Sequence, residues 1–131
     1  MAKPFSLCTA LITPYTRGGI DYKNLAYLID RQIQGGADAL LVNGTTAEPA
    51  LLTDAEIWKQ IKFVIDYADG RVPVLAGCGA VSTQKTLKNC LRAQELGADY
   101  LLVVTPYYNK TSQEGAYAHY GFNRVCKSPF K

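Results

Sequence analysis

The segment Gly-Ala-Asp-Ala-Leu-Leu-Val at Gly36 to Val42 returns almost unchanged as Gly-Ala-Asp-Tyr-Leu-Leu-Val at Gly97 to Val103. In each copy a glycine stops a helical pattern, an aspartate marks the turn, and a continuous apolar run of strand length follows. Strands apolar at consecutive positions need cover on both faces, the habit of parallel sheets. The two copies then diverge. The first runs into Asn43-Gly44-Thr45-Thr46-Ala47-Glu48 and the second into Thr105-Pro106-Tyr107-Tyr108-Asn109, so polar groups crowd the carboxyl ends of both strands. In a β/α barrel that face carries the chemistry.

The separation of the copies fits two βα units of about 30 residues each, and the remaining sequence supplies two more. Ser6 to Thr13 reads as a first strand, followed by a helix over Tyr22 to Gln34 with Leu25, Leu28, Ile29 and Ile33 on one face. Thr53-Asp54-Ala55-Glu56 has the pattern of a capping box ahead of the stripe Ile57, Ile61, Val64 and Ile65. Val72 to Gly77 is a short strand, with Pro73 tolerable because it stands at the start. Ser82 or Thr83 caps a third helix through Leu96, and Ser112 to about Val125 forms a fourth, weakened by Gly121. Strands alternating with helices at this pitch predict parallel pairing with right-handed crossovers.

A closed barrel of eight such units usually takes about 250 residues, and this chain has 131. The expected architecture is therefore an α/β half-barrel of four βα units, with residues 1–131 forming one incomplete domain. Four parallel strands curved for a barrel leave two open edges and an unfilled concave face. A second half, a second copy, or flattening into an open sheet with helices on both faces would each resolve this.

Basic residues are scattered, including Lys59, Lys62, Arg71, Lys85, Lys88 and Arg92, and the net charge is only +3, so no nucleic-acid partner is expected. With no long apolar run and no charged-then-apolar leader, neither a membrane span nor secretion is expected, and the cytoplasm is the default. Cys8, Cys78, Cys90 and Cys126 show no paired spacing and read as reduced packing residues. No metal site or cofactor is expected. His119, the sole histidine, falls in a predicted helix and reads as a packing or solvent-facing residue.

The Gly44 to Glu48 loop offers two hydroxyls and several amides at a strand end, a combination suited to a small anion. The same threonines could equally only shape the turn and cap the following structure. Glu48 reads as a structural hydrogen-bonding partner. Tyr107 and Tyr108, adjacent after a buried strand, point to different sides, and a phenol there can relay a proton.

Taken together, Gly44-Thr45-Thr46-Ala47-Glu48, Thr105-Pro106-Tyr107-Tyr108-Asn109 with Ser112-Gln113-Glu114-Gly115, Thr9-Ala10-Leu11-Ile12-Thr13-Pro14 and Gly70-Arg71-Val72-Pro73-Val74-Leu75-Ala76-Gly77 resemble the dihydrodipicolinate synthase family over the chain up to about Tyr120. Within the wider group of pyruvate-dependent aldolases, which includes N-acetylneuraminate lyase, the double threonine and Tyr-Tyr-Asn look most like the synthase branch. The resemblance implies a TIM barrel, usually in a homotetramer, that holds pyruvate as a Schiff base on a lysine and condenses it with aspartate semialdehyde in lysine (diaminopimelate) biosynthesis. It implies that Thr45 is the hydroxyl of a proton relay and that Thr46 binds the pyruvate carboxylate. Tyr108 would reach across a dimer into the neighbouring site, and Tyr107 would line a lysine-feedback pocket whose other positions here carry Pro49, Asp54, Ile57, Val81 and Lys85.

Three departures accompany it. The Schiff-base lysine, a second relay tyrosine and a substrate-binding arginine belong to the half not matched here, so this chain is expected to be inactive alone and to form no covalent pyruvate adduct, with Lys110 the first suspect should one appear. Ala47 stands where the family usually has glycine, a source of strain if the position needs positive φ. The residues after Tyr120 follow no matched pattern. Two classes of function stand side by side: a lyase completed by a second copy or a complementary half-barrel chain, or an inactive half-barrel acting as a self-associating or pyruvate-binding module.

Overall fold

The computed structural model describes residues 5–123. Four strands, β1 (Cys8–Ala10), β4 (Ala39–Val42), β5 (Val74–Gly77) and β6 (Tyr100–Leu102), form a wholly parallel sheet in that spatial order. Between them lie α1 (Tyr22–Gln34), α2 (Asp54–Ala68) and α3 (Thr83–Glu95), with α4 (Gln113–Asn123) after β6. β2 (Tyr15–Thr16) and β3 (Gly19–Ile20) make a small antiparallel hairpin before α1.

The helices start where the sequence places them, for local reasons. Asp21 caps α1 by accepting the Asn24 amide, and Ser82 caps α3 by accepting that of Lys85. Thr53 and Glu56 close a full capping box on α2. The helices α1 and α3 both run into the repeat. Gly36 and Gly97 adopt φ of +96° and +95°, open to glycine without a Cβ penalty. In each copy the glycine and the following alanine donate back to the last helical turn, Gly36 to Ile33 and Ala37 to Gln32, Gly97 to Gln94 and Ala98 to Ala93, which is the Schellman closure.

The repeated aspartate then fastens the incoming strand to the one before it. The Asp38 amide donates to the Leu7 carbonyl while its carboxylate accepts the Ser6 and Leu7 amides, at 2.9 and 2.7 Å. Asp99 does the same to Val74, donating to its carbonyl and accepting its amide at 2.9 Å. The two amide bonds hold the Asp38 carboxyl below its ordinary range.

One face of the sheet is covered. Leu40, Val42, Val74 and Ala76 pack with Leu25 and Ile29 of α1, Ile61 and Val64 of α2, and Cys90 and Ala93 of α3 in one buried cluster. The alternate side chains face the other way, and toward the carboxyl end of the sheet this side is open: Ile12, Leu102 and Val104 are 51%, 44% and 50% exposed. Phe5 meets Tyr100 edge-on at 5.4 Å, at the amino-terminal end of this concave side. The sheet is therefore that of a partial barrel, and an open sheet with helices on both faces is excluded. The strands come out shorter than the apolar runs suggest, because Ser6, Leu7 and Leu11 to Thr13 lie outside the ladder and Val72 and Pro73 precede β5.

His119 is buried where α4 meets α3, its Nδ1 2.8 Å from the Thr83 hydroxyl, which makes it a packing residue. Cys8 is half-buried, and Cys78 and Cys90 are buried in the core cluster as packing residues; Cys126 and Val125 lie outside the described residues. No helix of the described residues is long and apolar enough to cross a membrane.

Candidate active site at the carboxyl ends of the strands

The loops leaving β4, β5 and β6 converge through close backbone approaches. Asn43 turns out of β4 in the left-handed region, φ +58°, and its Nδ2 donates to the Gly77 carbonyl at 2.7 Å. A Cβ on Gly77 would stand 2.0 Å from the Asn43 carbonyl oxygen, and one on Gly79 would stand 2.7 Å from the Val104 nitrogen. Only glycine permits these contacts. The Asn43 Oδ1 is buried at this seam with no donor among the described residues, so an acceptor is available beside the loops.

Thr45 to Ala47 form a single 3-10 turn, closed by the Glu48 amide on the Thr45 carbonyl. Thr45 and Thr46 are exposed, whereas Ala47 is buried and holds the turn down. The Ala47 carbonyl accepts from the Thr13 hydroxyl at 2.8 Å, and that hydroxyl accepts from Nε2 of Gln60 at 2.8 Å. Gln60 is wholly buried on α2. A chain of hydrogen bonds thus runs from the helix layer to the underside of the threonine turn, leaving both hydroxyls facing outward with the first amides of the turn unused by the helix itself.

Ala47 carries no strain, because the positive φ that the loop requires falls on its neighbours Asn43 and Glu48, at +58° and +54°. Glu48 closes this turn and opens the next, Pro49 to Leu51.

After β6, the Asn109 amide donates to the Tyr107 carbonyl at 2.9 Å across Tyr108, whose φ is +70°. This is the positive-φ γ-turn, a rare and strained conformation for a residue with a side chain. It projects Tyr108 outward, 94% exposed, and neither the Tyr107 nor the Tyr108 hydroxyl has a hydrogen-bond partner among the described residues. These residues therefore share one end of the sheet without being joined: Thr45 and Thr46 sit on the β4 loop, Tyr107 and Tyr108 on the β6 loop, and no hydrogen bond among the described residues links the two groups.

Two further groups belong to this end. The Thr105 hydroxyl lies 3.0 Å from that of Tyr120, which also donates to the Val103 carbonyl at 3.3 Å; the pairing joins a strand end to the next helix and carries no local sequence signal. Tyr15, on the hairpin, has its phenol pushed up by desolvation first and by the carboxylates of Glu48 and Glu56 next. No lysine among the described residues lies on a strand: Lys23, Lys59, Lys62, Lys85 and Lys88 are helical, and Lys110 is in the exposed loop after Tyr108. Lys85 stands 3.8 Å from Asp54, tying the start of α3 to that of α2.

The model of the dihydrodipicolinate synthetase family matches residues 3–125. A 4-hydroxy-tetrahydrodipicolinate synthase of Clostridium perfringens is 46% identical over 113 residues, covering 86% of this chain and 39% of that protein. Among solved structures, dihydrodipicolinate synthase from Aquifex aeolicus superposes with a TM-score of 0.88 at 42% identity, over 92% of this chain and 41% of that one. The chloride-inhibited enzyme of Acinetobacter baumannii, solved in complex with pyruvate, gives a TM-score of 0.88 at 39% identity, over 92% of this chain and 42% of that one. The chain thus spans about two-fifths of the length of the relatives it matches, and its fold is that of consecutive βα units of a TIM barrel.

Proposed function

The chain belongs to the dihydrodipicolinate synthetase family, and from that premise we propose that residues 1–131 form the amino-terminal half of a β/α barrel and supply the hydroxyl side of a pyruvate site. In the reading carried by the family, Thr46 donates to the pyruvate carboxylate together with the turn amides, and Thr45 passes a proton between hydroxyls. Tyr108 completes that chain of hydrogen bonds in the site of a neighbouring copy, and Tyr107 lines a second pocket at the same contact.

The chemistry divides accordingly. Imine formation joins a lysine nitrogen to the keto carbon and expels water; the cationic imine then draws electrons from the methyl group, so a proton leaves and the carbon can attack an aldehyde. None of the described residues offers the lysine. What this chain supplies is carboxylate binding and proton movement, and aspartate semialdehyde is the aldehyde that the family reading assigns.

The observation that supports this reading best is the threonine turn, pinned from beneath by Thr13 and Gln60 with both hydroxyls left outward. A rigid turn spends no ordering free energy when an anion arrives. The γ-turn at Tyr108 supports the second half: strain held at an exposed residue marks a side chain placed for something outside its own subunit.

Amide NMR with pyruvate tests the proposal. The expected result is saturable shifts confined to Gly44 to Ala47, reduced at least about tenfold in affinity by Thr46→Val, in line with a lost hydrogen bond to a charged group. Shifts confined to other regions, or an unchanged affinity in Thr46→Val, would refute it.

A further inference from the structure

Gln60 stands in α2 beside Ile61 and Val64, wholly buried, where an apolar side chain would fill the same space at no polar cost. Its Nε2 donates to the Thr13 hydroxyl at 2.8 Å, yet its Oε1 is buried with no donor among the described residues. Leaving a buried carbonyl oxygen unpaired costs free energy. Turning the amide over would pair that oxygen with the Thr13 hydroxyl proton, but the Ala47 carbonyl, which accepts that proton at 2.8 Å, would then lose its donor. The orientation found is the one that keeps every donor pointing toward the threonine turn.

The sense of these bonds continues through the turn itself. The Ala47 carbonyl belongs to the same peptide group as the Glu48 amide, and that amide donates to the Thr45 carbonyl at 3.0 Å. The Thr45 carbonyl in turn shares its peptide group with the Thr46 amide, which has no acceptor among the described residues. One unbroken series of donors thus runs from Gln60 through Thr13 and Glu48 to Thr46, each polarised by the one before it. The Thr45 amide stands outside this series. Its peptide group holds the Gly44 carbonyl, which accepts from the Ala47 amide at 3.0 Å, a bond made within the turn.

We propose that Gln60 is a positioning residue for anion binding, acting through Thr13 and two peptide groups to strengthen the Thr46 amide as a donor to a carboxylate. The identity of the anion rests on the pyruvate reading, whereas the series of donors stands without it. Polarisation of this kind strengthens each bond by about 10–30%, so the effect on affinity is a few-fold, smaller than the loss of the Thr46 hydroxyl. A series that ends in a donor also selects for negative charge, because a cation placed there would meet the positive end of every dipole in it.

Amide NMR and pyruvate titrations of two variants test this. Gln60→Met keeps the shape and removes the donor; Gln60→Glu, once ionised, can only accept and so reverses the Thr13 hydroxyl. Without ligand, Gln60→Met should move the Glu48 and Thr46 amide protons upfield and leave that of Thr45 in place, a selectivity that general loosening of the turn would not produce. Pyruvate affinity should fall about threefold in Gln60→Met at every pH. In Gln60→Glu it should fall about tenfold near pH 8.5 and recover as the pH drops and the buried carboxyl takes a proton and donates again. Unmoved Glu48 and Thr46 amides, an equal movement at Thr45, or a pH-independent loss in Gln60→Glu would overturn the proposal. If the unaltered chain shows no pyruvate shifts at Gly44 to Ala47, the pyruvate reading fails, and the ligand-free amide shifts still decide the role of Gln60. Gln60→Met fills the core as glutamine does, so it settles the question even where a buried carboxylate unfolds the chain.

Discussion

The two copies of the repeat enter the sheet alike and leave it differently. At the entry end, Gly36 and Gly97 close a helix, and Asp38 and Asp99 fasten the new strand to its predecessor. At the exit end, β4 gives way to a 3-10 turn pinned by Thr13, and β6 gives way to a γ-turn that holds Tyr108 in solvent. Carboxylates at the entry are consumed by backbone amides; at the exit the hydroxyls of Thr45, Thr46, Tyr107 and Tyr108 take no hydrogen-bond partner among the described residues. The same strand can therefore be fixed at one end and varied at the other, the division expected of a β/α barrel whose lower face provides stability and whose upper face provides chemistry.

The contact between Asn43 and Gly77 offers the hardest test of this division. Gly77→Ala places a methyl group 2.0 Å from a backbone oxygen, and neither partner is a side chain that can swing away, so about 3 kcal/mol of stability should be lost. Urea unfolding measures it. A loss below about 1 kcal/mol would mean that the exit loops give way easily and that their convergence is not built into the fold.

Thr13→Val is the next largest. It keeps the shape while leaving the Gln60 amide and the Ala47 carbonyl without their shared partner inside the protein, at a cost of about 2 kcal/mol. If the turn is held from beneath, amide exchange at Ala47 and Glu48 should accelerate more than exchange at Asp38 and Ala39. Uniform acceleration would dissolve the distinction between the two ends.

The smallest effect is expected at the entry. The Asp38 carboxyl titrates below its ordinary value of 3.8 because it accepts two amides. Its contribution is thus present above that value and disappears as pH falls through the lower folded-state pKa. Asp38→Asn should lower the urea midpoint at pH 7, and the difference from the unaltered chain should shrink as the pH falls below 3.8. A difference that persists in acid would show that the aspartate acts by shape and not by charge.

Much of the fold is legible because its signals are local and repeated. The capping box at Thr53 and Glu56, the stripes of α1 and α2, and the helix stop at each repeat glycine depend on residues within a few positions of one another. The hairpin of β2 and β3 is not, since strands of two residues carry no periodicity. Nor is the support of the site. Thr13 and Gln60 are 47 positions apart and Thr105 and Tyr120 are 15 apart, and no spacing rule connects them. The left-handed residues Asn43, Glu48 and Tyr108 are not glycines, so the usual mark of such a turn is missing, and the strain expected at Ala47 belongs to its neighbours. Thr45, Thr46, Tyr107 and Tyr108 were reachable through the loops they occupy, but their distances from one another are set by the sheet.

Each clamp made by a repeat aspartate reaches backward, to the strand already laid down: Asp38 to Ser6 and Leu7, Asp99 to Val74. None waits for sequence still to come. A polypeptide arranged in this way can be assembled in the order in which a ribosome delivers it, each new strand finding its alignment against a finished template. Within the parallel sheet of the described residues, β1 at Cys8 is the strand that no earlier one aligns.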